Sequence, residues 1–396
     1  LTAAQVMNFY CTTGSVPANF EGGFIEISSD NVHVVYIPIG SLDTFIPLDT
    51  EGTSNSYIAD RGAASYSFTA TIMGNGADGI IDEGKFEDAS GNILTKAGGA
   101  NIHPLSAKLL WQDTDELVEQ VALVNGRVQV KMGRSRGNAL IAVYDKANPN
   151  AEDAKVLWSW HLWCTPVPQI IEYTAPRTGH EYTIMDRNVG ATTSTLGLVT
   201  TQGLQYQFGR KDPFTTSLDY DEEVAVFLRN VRSDSLPHLF SYEEPLTIAQ
   251  AIGKPDVFIH RMNLSETSEM KYLWGNPEGQ VEYFPSLTVK TIYDPCPIGY
   301  KVPPVDALIL KMKSYSQYEH GGIYYAGEEG DNTKLINMPA VHSAYYAYGT
   351  SIAYWTSSDF GKPNSTFEWG EFGVMHTYYP GSYTLRYNAF ARPGSI

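Results

Sequence analysis

The sequence predicts a mainly β protein: an antiparallel β-sandwich over residues 51–168, preceded by a strand-rich segment, 1–50, and followed by a section of different character, 169–396. Three observations carry this. Short runs rich in β-branched and aromatic residues recur over about 110 residues, with turn residues between them. Asn125-Gly126 stands between two such runs, Val121–Val124 and Arg127–Val130, and both positions of a type I′ turn need a positive φ. After Thr165-Pro166-Val167-Pro168 the connections lengthen, and 16 of the 26 tyrosines lie beyond residue 270. At 396 residues the chain is too long for one ordinary core, so two or three domains are expected.

In chain order, Phe24–Ile27 and Val32–Ile37 read as paired strands about the turn residues Ser28–Asn31. Pro38 and Pro47 restrict this region to edge positions. In Ser65–Ile72, Tyr66, Phe68, Ala70 and Ile72 fall on one face at period two. Ala139–Tyr144 and Val156–Trp163 are strand-like; the second places Trp158, Trp160 and Leu162 on one face and Ser159, His161 and Trp163 on the other. Two helices are predicted, Leu246–Ile252 closed by Gly253 and Pro255, and Val305–Ser314 entered through Pro303-Pro304.

The formal charge of −17 and a pI near 4.9 argue against a nucleic-acid partner, which needs clustered Lys and Arg. No stretch approaches the apolar length of a membrane-spanning helix, and Leu1–Phe9 carries no export-signal pattern. The cysteines, Cys11, Cys164 and Cys296, are too few for a disulfide scaffold and odd in number.

Motifs of chemistry are sparse. Gly74-Asn75-Gly76-Ala77-Asp78-Gly79 matches G-x-G-x-x-G, but the residues after it do not form an apolar helix face, so a surface turn is expected. As a calcium loop it would place Lys85 where a bidentate Glu is required. The nine histidines show no zinc spacing, and His161 among tryptophans reads as a packing histidine. No cofactor and no metal site are expected.

Several phrases resemble one family. They are Ser54–Ile58, Tyr66–Phe68, Gly137–Val143 and Leu157–Trp163, then Met185–Ala191, Gly203–Phe214, Lys290–Pro303 and Tyr354–Ser358. In order and spacing they resemble the FISUMP-type major paralogous domain and the β-module that accompanies it in fimbrillin-like and adhesion proteins of Bacteroides-type bacteria. The Asp294-Pro295-Cys296-Pro297 and Tyr354-Trp355-Thr356-Ser357 phrases are also similar to the C-type-lectin-like fold. The resemblance implies an α+β, C-type-lectin-like domain over 169–396. Calcium-dependent sugar binding does not carry over, because Lys362-Pro363-Asn364 and Trp369-Gly370-Glu371 replace the lectin ligand triplets. The usual partner of Cys296 in a terminal phrase is missing, since the chain reads Ala391-Arg392-Pro393 there, so Cys296 is expected to be unpaired.

The family implies a non-enzymatic, extracellular protein anchored at the outer membrane, an adhesin or pilus tip component. Its expected partner is a host or microbial glycan or surface protein, with other pilus subunits as further partners. A surface enzyme acting on polysaccharide or protein, or a purely structural pilus subunit, are the alternative readings. The expected binding loops carry Tyr345, Tyr346, Tyr348, Asp359, Asn364, Glu368 and Trp369, a mixture able to stack on a sugar and hydrogen-bond its hydroxyls.

Overall fold

The computed structural model describes residues 23–29, 32–39, 45–78, 86–95, 99–175, 179–195, 199–201, 203–206, 209–214, 238–240, 246–259, 273–274, 290–308, 311–316, 321–326, 328–339, 341–343 and 346–351. It is mainly β, with 37% strand and 6% helix. The chain divides into two compact units, residues 1–44 and 45–396.

In the first unit β1 (Gly23–Ser29) and β2 (Val32–Ile39) form an antiparallel hairpin, with Ile25 opposite Ile37 and a bulge between Ile27 and Ser29.

The second unit opens with β3 (Ile46–Pro47), β4 (Ser56–Ala59) and β5 (Ser65–Thr69). Then follow β6 (Ser106–Gln112), β7 (Val118–Val124), β8 (Arg127–Met132), β9 (Gly137–Tyr144) and β10 (Val156–Cys164). They build two four-stranded sheets, β3-β5-β8-β7 and β4-β10-β9-β6. The β7–β8 turn has Asn125 at φ 49° and Gly126 at φ 74°, the two positive values the Asn-Gly signal requires. Pro47 lies on β3, an edge strand, where a missing N–H interrupts no ladder. The sheets are not wholly antiparallel, as the sequence suggested. β3 runs parallel to β5 and β4 parallel to β10, because each enters its sheet by a crossover rather than a hairpin.

The two sheets face each other through packed aromatic rings, one pair stacked and one tilted. Tyr57 of β4 lies 4.7 Å from Phe68 of β5, and Phe68 lies 5.4 Å from Trp160 of β10. The predicted alternation of β10 holds, yet nearly the whole strand is buried. Its second face is covered by the chain beyond residue 186. Trp163 Nε1 donates to Ala191 O, and Ser159 Oγ donates to Asp212 Oδ1.

Beyond β10 the elements are short: β11 (Ile170–Thr174) with β12 (Glu181–Met185), β13 (Gln205–Tyr206) with β14 (Pro213–Phe214), and β15 (His238–Phe240), which pairs parallel with β16 (Val257–Ile259) across helix α1 (Ile248–Ile252). Helix α1 starts where a capping box allows. Thr247 accepts from Gln250 N, and the Gln250 side chain accepts from Thr247 N.

The helix predicted over Val305–Ser314 is a correction. Only one 3-10 turn, Val305–Leu308, follows the prolines; the chain then becomes β17 (Lys311–Ser316). A ten-residue helix is marginal by itself, and pairing with β18 (Gly321–Tyr325) and, through it, β19 (Leu335–Pro339) wins. The last described strands, β20 (Val341–Ser343) and β21 (Tyr346–Ser351), form a hairpin.

One hydrophobic cluster takes in Phe68, Trp111, Val130, Ile141 and Trp160 from the two sheets and Met185, Tyr206, Trp274, Tyr293 and Val302 from the later chain. Among the described residues, no helix is long and apolar enough to cross a membrane.

Candidate functional site

The residues with the richest chemistry meet on the second face of β10 and along the edge of β4. The segment 290–302 docks there, and short polar side chains from early in the chain hold it by its carbonyls. Ser54 Oγ donates to Cys296 O (2.6 Å) and Ser56 Oγ to Pro295 O (2.6 Å). Asn55 Nδ2 donates to Ile292 O (2.7 Å) and Asp294 O (2.8 Å), while its Oδ1 accepts from Trp158 Nε1 (3.0 Å). Asn75 Nδ2 donates to Thr291 O, and Ser56 forms a parallel bridge with Pro297. All four side chains belong to buried residues, so each loop carbonyl gains a partner that replaces water.

In the Gly74–Gly79 run the turn at Gly74-Asn75 is buried, not a surface turn, which is a second correction; Ala77 is exposed, and Gly79 lies outside the described residues. Asn75 is buried, and Gly74 is packed against the docked segment. At Gly74, φ is +44°, and an added Cβ would lie 2.5 Å from Asn55 Oδ1 and 2.7 Å from Ile292 O. Gly179, at φ +74°, has nothing within 4 Å of such an atom. Gly74→Ala should thus cost both about 1 kcal/mol of left-handed strain and the clash, and Gly179→Ala only the strain. Thermal melts of the two variants should separate clearly; equal melting temperatures would mean that Gly74 is not the contact described.

Inside the docked segment Asp294 is the organiser. Its Oδ1 accepts from Cys296 N (2.8 Å) and Lys290 Nζ (3.2 Å), and its Oδ2 from Val302 N (2.8 Å). The Lys290 ammonium also donates to Cys296 O, Pro297 O and Tyr300 O. Cys296 is free and fully buried. Burial, and then the Asp294 carboxylate, push its thiol well above the ordinary value, the opposite of an activated thiolate. Cys164 is likewise free, and burial pushes it up to about 11.

A second group surrounds Ser159. Its hydroxyl donates to Asp212 Oδ1 (2.6 Å), and Lys211 Nζ donates to the same oxygen (2.6 Å), to Ser159 O (3.2 Å) and to Ser159 Oγ. The ammonium lies 4.5 Å above the Trp158 ring. Burial pulls the Lys211 pKa down and the Asp212 charge opposes that pull. Nucleophilic activation would need the serine proton to pass to a neutral lysine. Here the serine hydroxyl donates to Asp212 and the Lys211 nitrogen contacts the same carboxylate oxygen, the arrangement of a buried ion pair. Arg210 donates to Ala251 O, Lys254 O and Val257 O, so it closes the C-terminal end of α1.

The third group is a line of hydrogen bonds through His161. Nδ1 is 3.0 Å from Ser56 Oγ and Nε2 is 2.9 Å from Asn138 Oδ1; Asn138 Nδ2 donates to Asp113 Oδ2 (2.6 Å). As the sequence suggested, His161 is a packing histidine, buried at 1% exposure.

Of the residues expected to bind a ligand, Tyr346 and Tyr348 lie on β21. Tyr345, Asp359, Asn364, Glu368 and Trp369 are outside the described residues. Residue-by-residue reading missed Asn55, Asn75, Lys211, Asp212, Lys290 and Asp294, although five of the six lay in or beside the phrases singled out for their order. Among the described residues no group of three or more His, Cys, Asp or Glu is placed to hold a metal ion. No protein-family profile, curated protein or solved structure matches the chain.

Proposed function

We propose that the protein is a FISUMP-type, fimbrillin-like surface adhesin or pilus tip component, extracellular and non-enzymatic, that binds a glycan or protein through its C-terminal loops. In this reading the two facing sheets are a β-sandwich module, and the chain after residue 168 is a C-type-lectin-like domain. One observation supports it above others: of the groups an enzyme would use, Ser159, Lys211, Asp212 and His161 are buried and committed to protein partners that hold the fold together, and the Cys296 thiol is buried. The resemblance phrases thus serve as a framework, and binding falls to the loops that the framework carries.

The test is a glycan array probed with the full chain, followed by titration of the strongest glycan against Tyr346→Ala and Asp359→Ala. Loss of an aromatic or hydrogen-bonding anchor should weaken binding by at least about fivefold, more than about 1 kcal/mol, with the melting temperature nearly unchanged. Normal binding by both variants would move the site elsewhere on the molecule.

A further inference from the structure

An edge strand offers unpaired N–H and C=O groups to any other chain, so folded proteins blunt their edges. The two four-stranded sheets end in β3, β7, β4 and β6, and three of these are blunted. β3 is two residues long and holds Pro47. β4 is covered by the docked segment, with Ser56 bridging to Pro297. β6 carries the exposed Lys108, bonded to Asn150, and bulges between Leu109 and Trp111. β7 is different. Its bulge lies at its start, between Val118 and Gln120, and the five residues Gln120–Val124 that follow carry no charge.

The ladder says which of its groups are open. Across the two-residue turn Val124 and Arg127 exchange both hydrogen bonds, and Ala122 and Gln129 are the next pair to do so. By alternation the N–H and C=O of Val121 and Leu123 point away from β8. Among the described residues, no backbone bond outside the ladders reaches either of them. Their side chains are half-buried against the main hydrophobic cluster, as are Ala107 and Leu109 of β6, which packs beside β7. The core is therefore least covered along this side. Leu105, just before β6, and Val124, at the end of β7, are both exposed.

We propose that β7 is the surface through which two copies of this chain associate, β7 against β7, antiparallel about a two-fold axis at Ala122. A two-fold contact must be complementary to itself, and this stretch is. Val121 of each copy meets Leu123 of the other, so the open N–H and C=O groups satisfy one another and the half-buried side chains cover each other. Ala122 faces Ala122, which leaves the axis free of bulk. Gln120 meets Val124. Glu119, held by Lys131 at 3.6 Å, comes opposite Asn125 and never opposite itself. A chain of formal charge −17 thus places no like charges face to face along the contact.

Sedimentation equilibrium of the full chain, from low to high micromolar, should show a reversible monomer–dimer equilibrium. Ala122→Lys and Ala122→Glu each put two like charges opposite each other at the axis. Each variant alone should dimerise at least about fivefold more weakly than the parent, with a melting temperature close to the parent's. An equimolar mixture of the two places Lys opposite Glu and should restore dimer, which unfolded variants could not do. A parent that stays monomeric throughout, including one that binds extended peptides of other sequence at this edge, would overturn the proposal. So would variants that dimerise as well as the parent, or a mixture no more dimeric than its components.

Discussion

Alanine at Asp294 is expected to destabilise the second unit by about 3–5 kcal/mol, the range for removing one partner of a buried charge pair. The carboxylate side chain is 0% exposed and carries three interactions. Without it, the Cys296 and Val302 amides lose their acceptor, and the Lys290 ammonium keeps only neutral carbonyls. Asparagine retains one acceptor oxygen and no charge, so Asp294→Asn should fall between alanine and the parent. Guanidinium denaturation should show a lower midpoint at unchanged slope for both variants. A parental midpoint for Asp294→Ala would mean that this carboxylate does not organise the segment.

Asp212→Ala should have a comparable effect, again about 3–5 kcal/mol, for a different reason. Arg210, Lys211 and Asp212 carry a formal +1 between them, with Lys211 and Asp212 side chains 1% and 3% exposed. Removing the carboxylate raises the buried charge to +2, with the two cations on adjacent residues. Arg210 keeps its carbonyls at the end of α1, whereas Lys211 keeps only Ser159 and the face of Trp158. Ser159→Ala should be much milder, about 1 kcal/mol, because it removes a hydroxyl and strands no charge. A serine at the heart of a reaction centre would show the reverse order: a large loss of activity with little loss of stability.

What the sequence made legible was local. The Asn125-Gly126 hairpin could be read because the turn's own φ values select those residues. Helix α1 could be read because its cap lies within four residues of its start. The alternation along β10 was equally plain, but not the burial of both its faces, since the second cover comes from residues about 30 to 50 positions later. Two misreadings have different causes. Gly74-Asn75 reads as a surface turn because the partner that buries it, Ile292, is distant in sequence, whereas Val305–Ser314 reads as a helix because its local periodicity hides a hairpin with β18, only five residues beyond β17 at its near end. The site was half legible. The phrases around Ser54, Lys211 and Asp294 drew notice as a set, but no pattern says that Asn55 meets carbonyls 237 and 239 residues away. The loop residues Asp359, Asn364, Glu368 and Trp369 rest on the resemblance and on side-chain chemistry.

In the proposed function the buried polar groups hold the scaffold and do no chemistry. A double-mutant cycle at the ion pair tests it most directly: Lys211→Met, Asp212→Leu and the combined variant, each unfolded in guanidinium chloride beside the parent. The double variant keeps the group's formal charge at +1 and roughly its volume. It should be more stable than Asp212→Leu alone, with a coupling of about 2 kcal/mol or more, and should retain the parent's glycan-array profile. Additive single effects, or a stable double variant that has lost its ligand, would show instead that this buried pair belongs to the working site.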